Sequence, residues 1–193
     1  MNAMSFLLAG VGGQGTILAS NVLMEVGLAL GYEAKKAEVH GMSQRGGSVI
    51  SHVRWGEKVF SPVIAPGDAD VLIAFEKLEA VRFIRDLKPG GMALINEYAI
   101  VPVTVSSGDQ TYPDDEAIRA TIAAVTENVH WVEAITIAEN LGSAKVTNVV
   151  MLGALSRLLE MEPSPWLTVI EARVPQKFVE LNRQAFQAGR EAV

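Results

Sequence analysis

The stretch Ser5-Phe-Leu-Leu-Ala-Gly10-Val-Gly12-Gly13-Gln14-Gly15-Thr16 constrains the fold more than any other part of the chain. An apolar run, Phe6 to Ala9, leads straight into a turn with the spacing G-x-G-x-x-G (Gly10, Gly12, Gly15). Thr16 to Leu30 then follows without a proline and with one interior glycine, Gly27. A strand that reverses this tightly into a helix needs glycine, because Cβ atoms would block the turn, the packing of helix on strand and the approach of a phosphate. The helix N-terminus facing the turn carries unpaired N–H groups and the positive end of the helix dipole, which suit an anion. The motif predicts the first βα unit of an α/β domain, with Gly10, Gly12, Gly13, Gln14 and Gly15 as candidate ligand-binding residues. An ordinary strand-to-helix turn would use the same residues.

The helix from Thr16 to Leu30 is apolar over most of its circumference, so it is expected to be buried on more than one side. One side would cover the sheet. The other would meet either a partner subunit or the C-terminal helices of this chain. Gly31 reads as the residue that ends the helix, and Glu33 to Val39 as a second strand. Lys35, Lys36 and Glu38 make that strand polar, which suggests a sheet edge. A second glycine-rich stretch follows, Glu38-Val-His40-Gly41-Met-Ser43-Gln44-Arg45-Gly46-Gly47-Ser48. Its Ser43, Gln44, Arg45 and Ser48 offer donors to an anion or a facing chain, and Gly46-Gly47 allow unusual backbone. Ser43, Gln44, Arg45, Gly46, Gly47 and Ser48 are therefore candidate binding residues, and His40 is the best general-base candidate if there is one.

Val49 to Arg54 and Val59 to Val63 read as a β-hairpin across Trp55-Gly-Glu-Lys58. Asp70 to Phe75 is a short continuous apolar run, as expected of a central parallel strand. Glu76 to Leu87 predicts a helix and Met92 to Asn96 a strand. Ile100 to Val105, containing Pro102, reads as an edge strand or strand start. Pro113-Asp114-Asp115-Glu116 opens a capped helix, and Val129 to Ala134 forms a short strand. Helices over about 136–141, 146–159, 166–172 and 176–189 complete the chain. The expected architecture is α/β: a Rossmann-like three-layer domain with a mainly parallel sheet, an inserted β-hairpin and a helical C-terminal part. We read it as one domain over 1–193, with the α/β core over 4–134 and the helical part over 135–193.

Composition narrows the chemistry. The 193 residues include no cysteine, which excludes structural disulfides, a cysteine nucleophile and cysteine-ligated iron–sulfur clusters held by this chain. The three histidines, His40, His52 and His130, show no metal-binding spacing. A formal net charge of −6 argues against a general nucleic-acid binder. It also means that an anionic ligand must be caught by local donors: the turn amides, Lys35 or Lys36, and Arg45. Without an apolar run of about 18 residues the chain is expected to be soluble and cytoplasmic, with no membrane span. A nicotinamide enzyme would need an acid at the end of the second strand to bind the ribose. Glu38 can be proposed, but a solvated strand glutamate fits it better. No nucleophile elbow and no P-loop occur, so neither catalytic residues nor metal ligands are assigned.

Taken together, Gly10-Val-Gly-Gly-Gln-Gly15, Glu38-Val-His-Gly-Met-Ser-Gln-Arg-Gly-Gly47 and Asp70-Val-Leu-Ile-Ala-Phe-Glu76 resemble the gamma subunit or gamma domain of 2-oxoacid:ferredoxin oxidoreductases (pyruvate, ketoisovalerate or indolepyruvate), nearest the indolepyruvate type. The second motif is the specific one. The resemblance continues through Lys145-Val-Thr-Asn148, Leu152-Gly-Ala-Leu155 and Asn182-Arg-Gln-Ala-Phe186 to Gly189, covering nearly the whole chain. It implies a Rossmann-like subunit, inactive alone, of a complex that oxidatively decarboxylates 2-oxoacids to acyl-CoA and CO2 and reduces ferredoxin. Thiamine diphosphate and iron–sulfur clusters would then sit only in partner subunits. Coenzyme A would be a cosubstrate that this chain helps to bind, the first loop facing phosphate or a neighbouring subunit and the second lying at the mouth of a shared active site. The resemblance leaves two rivals: a free-standing NAD(P)-binding oxidoreductase and a purely structural assembly subunit. Apolar surfaces meant for partners would make the isolated chain self-associate.

Overall fold

The computed structural model describes residues 3–40, 47–108 and 111–193, without the side chains at 40, 103 and 104. Six strands form one sheet: β1 (Met4–Val11), β2 (Glu33–His40), β3 (Ser48–Gly56), β4 (Ala69–Ala74), β5 (Leu87–Asn96) and β6 (Val129–Val132). Their order is β2-β3-β1-β4-β5-β6. The β1–β4, β4–β5 and β5–β6 pairs are parallel, and only β3 runs against its two neighbours. The helices are α1 (Thr16–Ala29), α2 (Lys77–Phe83), α3 (Val103–Ser106), α4 (Asp115–Ala123), α5 (Ala134–Asn140), α6 (Thr147–Leu158), α7 (Pro163–Arg173) and α8 (Val179–Glu191).

The period of two along each strand sorts the core into two halves. Phe6 and Leu8 of β1, Val71 and Ile73 of β4 and Leu94 of β5 face α1, α6 and α8. Leu7 and Ala9, Leu72 and Ala74, and Ala93 and Ile95 face α2 and α4. Strands covered on both faces must be apolar without interruption, which is why the 70–75 run is central. Asp114 caps α4, its carboxylate accepting from the Ala117 N–H at 2.8 Å. Gly31, at φ +86°, follows the end of α1. The polar strand β2 lies at the sheet edge, as its charges suggest.

The outer side of α1, left open by its sequence, is covered by this chain's own α6 and α7. Ile17 and Leu28 remain exposed on it. Gly27 seats the Trp55 indole against the helix, and Trp55 Nε1 donates to the Leu23 carbonyl at 3.1 Å.

Three expectations need correction. The antiparallel insertion exists, but its strands are β2 and β3; residues 59–63 are not a strand. β3 already pairs with β2 on one side and β1 on the other, so no free edge is left for a further partner. Val59 instead ties to the start of β2, its N–H donating to Glu33 Oε2 at 3.0 Å. The stretch around 100–105 is not an edge strand, because the Pro102 carbonyl accepts from the Val105 and Ser106 amides and starts the one-turn α3. The helix predicted to Leu87 is α-helical only to Phe83, tightens into a 3-10 turn over Ile84–Asp86 and gives way to β5 at Leu87.

Candidate functional site

Chain direction places the site. α1 follows β1 onto one face of the sheet, while α2 follows β4 onto the other. The topological switch point therefore lies beyond the carboxyl ends of the adjacent parallel strands β1 and β4, where open α/β sheets usually place a ligand crevice. The first glycine turn lines it. Gly13 and Gly15 have φ of +108° and +79°, values an L side chain rarely adopts, and Gly15 is the N-cap of α1 without a side-chain cap. At Gly10 the limit is contact: a Cβ would stand 2.8 Å from Thr16 Oγ1, 3.1 Å from Gln14 Oε1 and 3.2 Å from Phe75 Cβ.

Gln14 turns inward and bridges the crevice. Its Oε1 accepts from the Val11 N–H at 2.7 Å, and its Nε2 donates to the Phe75 carbonyl, just beyond β4, at 2.9 Å. Asn96, at the end of β5, donates to the same carbonyl at 3.0 Å. Thr16 Oγ1 and Asn96 Oδ1 are buried here with no hydrogen-bond partner among the described residues. From the other side, Asn148 in the first turn of α6 donates to the Gly15 carbonyl at 3.2 Å. Exposed Lys145 stands just before α6.

The two glycine-rich stretches meet directly. The Gly12 N–H donates to the Gly47 carbonyl at 2.9 Å, and Ser48 lies opposite Val11 in the β1–β3 ladder. Ser48 Oγ in turn donates to Glu79 Oε2 at 2.5 Å. Glu79 is buried on α2, with Arg82 Nη1 3.2 Å from its other oxygen. Burial pushes its carboxyl above the usual range and nearby Glu76 adds to this, while Ser48 and Arg82 act the other way. Glu76 is also buried and caps α2 by accepting from the Glu79 N–H at 2.9 Å. It accepts from the Ile100 N–H at 3.0 Å and the Tyr112 hydroxyl at 2.5 Å as well. Burial, then this glutamate, raises the Tyr112 phenol well above its ordinary value.

Of the residues singled out from sequence, Gly10, Gly12, Gly13, Gln14, Gly15, Gly47 and Ser48 are thus brought together. Ser43, Gln44, Arg45 and Gly46 lie outside the described residues, as does the His40 side chain. Lys35 and Lys36 do not join the site. They sit mid-strand in β2, Lys35 paired with Glu33 and Lys36 with Glu38. Among the described residues no group of His, Asp or Glu could hold a metal ion, and no helix is long and apolar enough to cross a membrane. Glu76, Glu79, Asn96 and Tyr112 carry no assignment from sequence, since no motif joins residues from three separate segments.

Nucleotide binding in the dinucleotide manner fits this geometry poorly. The Gly12 amide is already used by Gly47 and the crevice is bridged by Gln14. β3 also separates β2 from β1, so Glu38 lies about 10 Å from β1, one strand spacing of about 5 Å beyond where a ribose-binding acid would stand. The turn holds protein backbone, through the Gly12 N–H and the Gly47 carbonyl.

A family model, pyruvate ferredoxin/flavodoxin oxidoreductase, matches residues 5–192. The chain belongs to that family. It is 40% identical to indolepyruvate oxidoreductase subunit IorB of Thermococcus kodakarensis, over 98% of this chain and 95% of the relative. Its fold is shared by the gamma subunit of a keto/oxoacid ferredoxin oxidoreductase from Geobacter sulfurreducens, with a TM-score of 0.72 and 27% identity over 98% of this chain and 97% of the other. It also resembles part of the 2-oxoglutarate:ferredoxin oxidoreductase of Magnetococcus marinus, with a TM-score of 0.75 and 21% identity over all of this chain and 31% of that one. The protein is a small, gamma-type subunit of a 2-oxoacid:ferredoxin oxidoreductase, an enzyme that works as a complex.

Proposed function

We propose that this subunit helps bind coenzyme A and completes the shared active site of a cytoplasmic complex in which partner chains carry thiamine diphosphate and iron–sulfur clusters. The reaction removes CO2 from a 2-oxoacid, joins the remaining acyl group to the coenzyme A thiol and passes the released electrons to ferredoxin. The observation that carries this reading is the junction of the two glycine-rich stretches, Gly12 N–H to Gly47 carbonyl, beyond the ends of β1 and β4. It gathers the candidate residues Gly10, Gly12, Gly13, Gln14, Gly15, Gly47 and Ser48 where an open α/β sheet takes its ligand. The Magnetococcus marinus enzyme was solved with 2-oxoglutarate, coenzyme A and succinyl-CoA bound, which supports a coenzyme A role for the shared fold. The indolepyruvate relative favours an aryl 2-oxoacid over a small aliphatic one. Exposed Val39, Phe60 and Val63 fit surfaces covered by partner chains, and by copies of this chain when it is alone.

Arg45 tests the reading. Its planar guanidinium can hold a phosphate or carboxylate in two parallel hydrogen bonds. In the complex with its co-purifying chains, Arg45→Ala is expected to raise the KM for coenzyme A by about tenfold to a hundredfold, the loss of one charge-assisted hydrogen bond. Weakened subunit association with unchanged kinetics would instead assign Arg45 to an interface. A variant unchanged in both respects removes the residue from the site.

A further inference from the structure

A buried carboxylate on α2 stands outside every motif discussed so far. Glu79 is 3% exposed, accepts from the Ser48 hydroxyl at 2.5 Å and meets the half-exposed Arg82 at 3.2 Å. A buried carboxylate with two partners among the described residues is a poor stabiliser, since they only partly replace its lost hydration and an apolar side chain of similar size would do as well. What the contact does is geometric. Ser48 is the first residue of β3 and sits opposite Val11, the last residue of β1. Its neighbour Gly47 receives the Gly12 amide. Three elements converge on this point: the end of β1 with its glycine turn, the start of β3, and the first turn of α2. That turn is itself fixed by Glu76, whose carboxylate reaches the Glu79 amide, the Ile100 amide and the Tyr112 hydroxyl.

We propose that Glu79 is a positioning residue: its carboxylate holds Ser48 and thereby locks the junction of the two glycine-rich stretches in register. Among the described residues the Glu79 carboxylate reaches Ser48 and Arg82, so it acts on the turn through Ser48. If the coenzyme A reading above is right, loosening this lock also weakens coenzyme A binding, so that consequence rests on that reading while the lock does not.

The test uses the intact complex and four variants, read by hydrogen exchange at the amides of Gly12 and residues 47–49, by thermal stability, and by the KM for coenzyme A. Glu79→Met keeps the volume and removes the acceptor. It should leave stability unchanged or higher, yet speed exchange at the junction by about tenfold, the effect of losing a hydrogen bond to a charged group. Ser48→Ala should give the same acceleration from the other end. Glu79→Gln retains an acceptor and Ser48→Thr a hydroxyl, and both should exchange like the parent. A merely structural glutamate would behave differently, with Glu79→Met losing stability throughout the chain and the junction exchanging no faster than the rest. Unchanged exchange in Glu79→Met and Ser48→Ala overturns the lock whatever happens to the KM. Faster exchange in both with a raised KM supports the lock and the coenzyme A reading together. Faster exchange with an unchanged KM upholds the lock and removes coenzyme A from this junction.

Discussion

Glycine is used in two regions of this subunit for opposite reasons. In the turn after β1, Gly13 has open space where a Cβ would go but a φ of +108°, so its constraint is conformational. At the crossing of α6 and α8 the backbone is ordinary helix and the constraint is contact. A Cβ on Gly153 would fall on the Phe186 carbonyl, and one on Gly189 on the Val150 carbonyl. Gly15 stands between the two cases, with φ +79° and Asn148 Nδ2 only 2.6 Å from where its Cβ would be. Turn glycines shape a site that a ligand or partner can reach, whereas crossing glycines let two helices seal the core behind it. The first kind tolerates substitution at the cost of strain, and the second barely tolerates it at all.

The largest expected effect tests the crossing. Gly189→Ala or Gly153→Ala must push α6 and α8 apart, because the obstacle is backbone rather than a flexible side chain. Each should cost about 3 kcal/mol or more, the upper end for overpacking, measurable as a lowered urea midpoint or failure to accumulate folded protein. If either is tolerated with less than about 1 kcal/mol of loss, the helices are not sealed as tightly as the comparison requires.

At the turn the expected losses are smaller and separable. Gly13→Ala should cost about 1–2 kcal/mol from the left-handed backbone alone. Gly15→Ala should cost about 1 kcal/mol more, because Asn148 must also move. Adding Asn148→Ala should recover part of the Gly15 loss and none of the Gly13 loss, a difference that urea unfolding of the two double variants would reveal. Equal behaviour of the two would erase the distinction between strain and contact.

Gln14→Glu is next in size. The new oxygen would face the Phe75 carbonyl in place of an N–H donor, while the contact with the Val11 amide could persist. We expect about 1–2 kcal/mol of destabilisation and a locally opened crevice, seen as faster hydrogen exchange at Phe75, whose amide donates to the Ala9 carbonyl.

His52, in the middle of β3, gives the smallest effect and belongs to neither region. Burial lowers its pKa below the ordinary 6.5, although Asp86 nearby opposes this. Its Nδ1 accepts from the Ile64 N–H at 3.3 Å, which requires a neutral ring nitrogen. The unfolded chain binds the proton from about pH 6.5 downward while the folded chain resists it, so this group's contribution to stability is lost as pH falls through that range. Asp86, whose carboxyl burial raises, contributes the opposite slope at lower pH. The net loss should stay below about 1.4 kcal/mol per pH unit, and His52→Asn should flatten the urea midpoint between pH 7 and pH 5.5.

Much of the fold and part of the site are legible without coordinates, and the division follows the range of the interactions. The strand, glycine turn and helix over 5–30 are encoded by neighbours in sequence: an unbroken apolar run, then glycines at the required spacing, then a stretch without proline. The charges of β2 announce an edge, and Asp114 announces a helix start, because solvation and capping are also local. The 49–63 hairpin misled because both halves have strand composition, and propensity says nothing about which edge of the sheet is free. Of the candidate ligand-binding residues, the glycines revealed their conformational need. Gln14 gave no sign that it would turn inward to bridge two strands.

The sequence by itself determined the α/β class, the central strands, the helix that opens at Gly15 and the absence of any cysteine-based chemistry. Tertiary structure alone decided that β3 enters between β2 and β1, that the Gly12 amide is used by Gly47, and that Glu79 reaches Ser48 across 31 positions. These choices depend on which distant donors and acceptors a buried group can find once the sheet has closed. Periodicity and propensity report only each residue's own surroundings, whereas a buried hydrogen bond is settled by the partner that the fold brings to it.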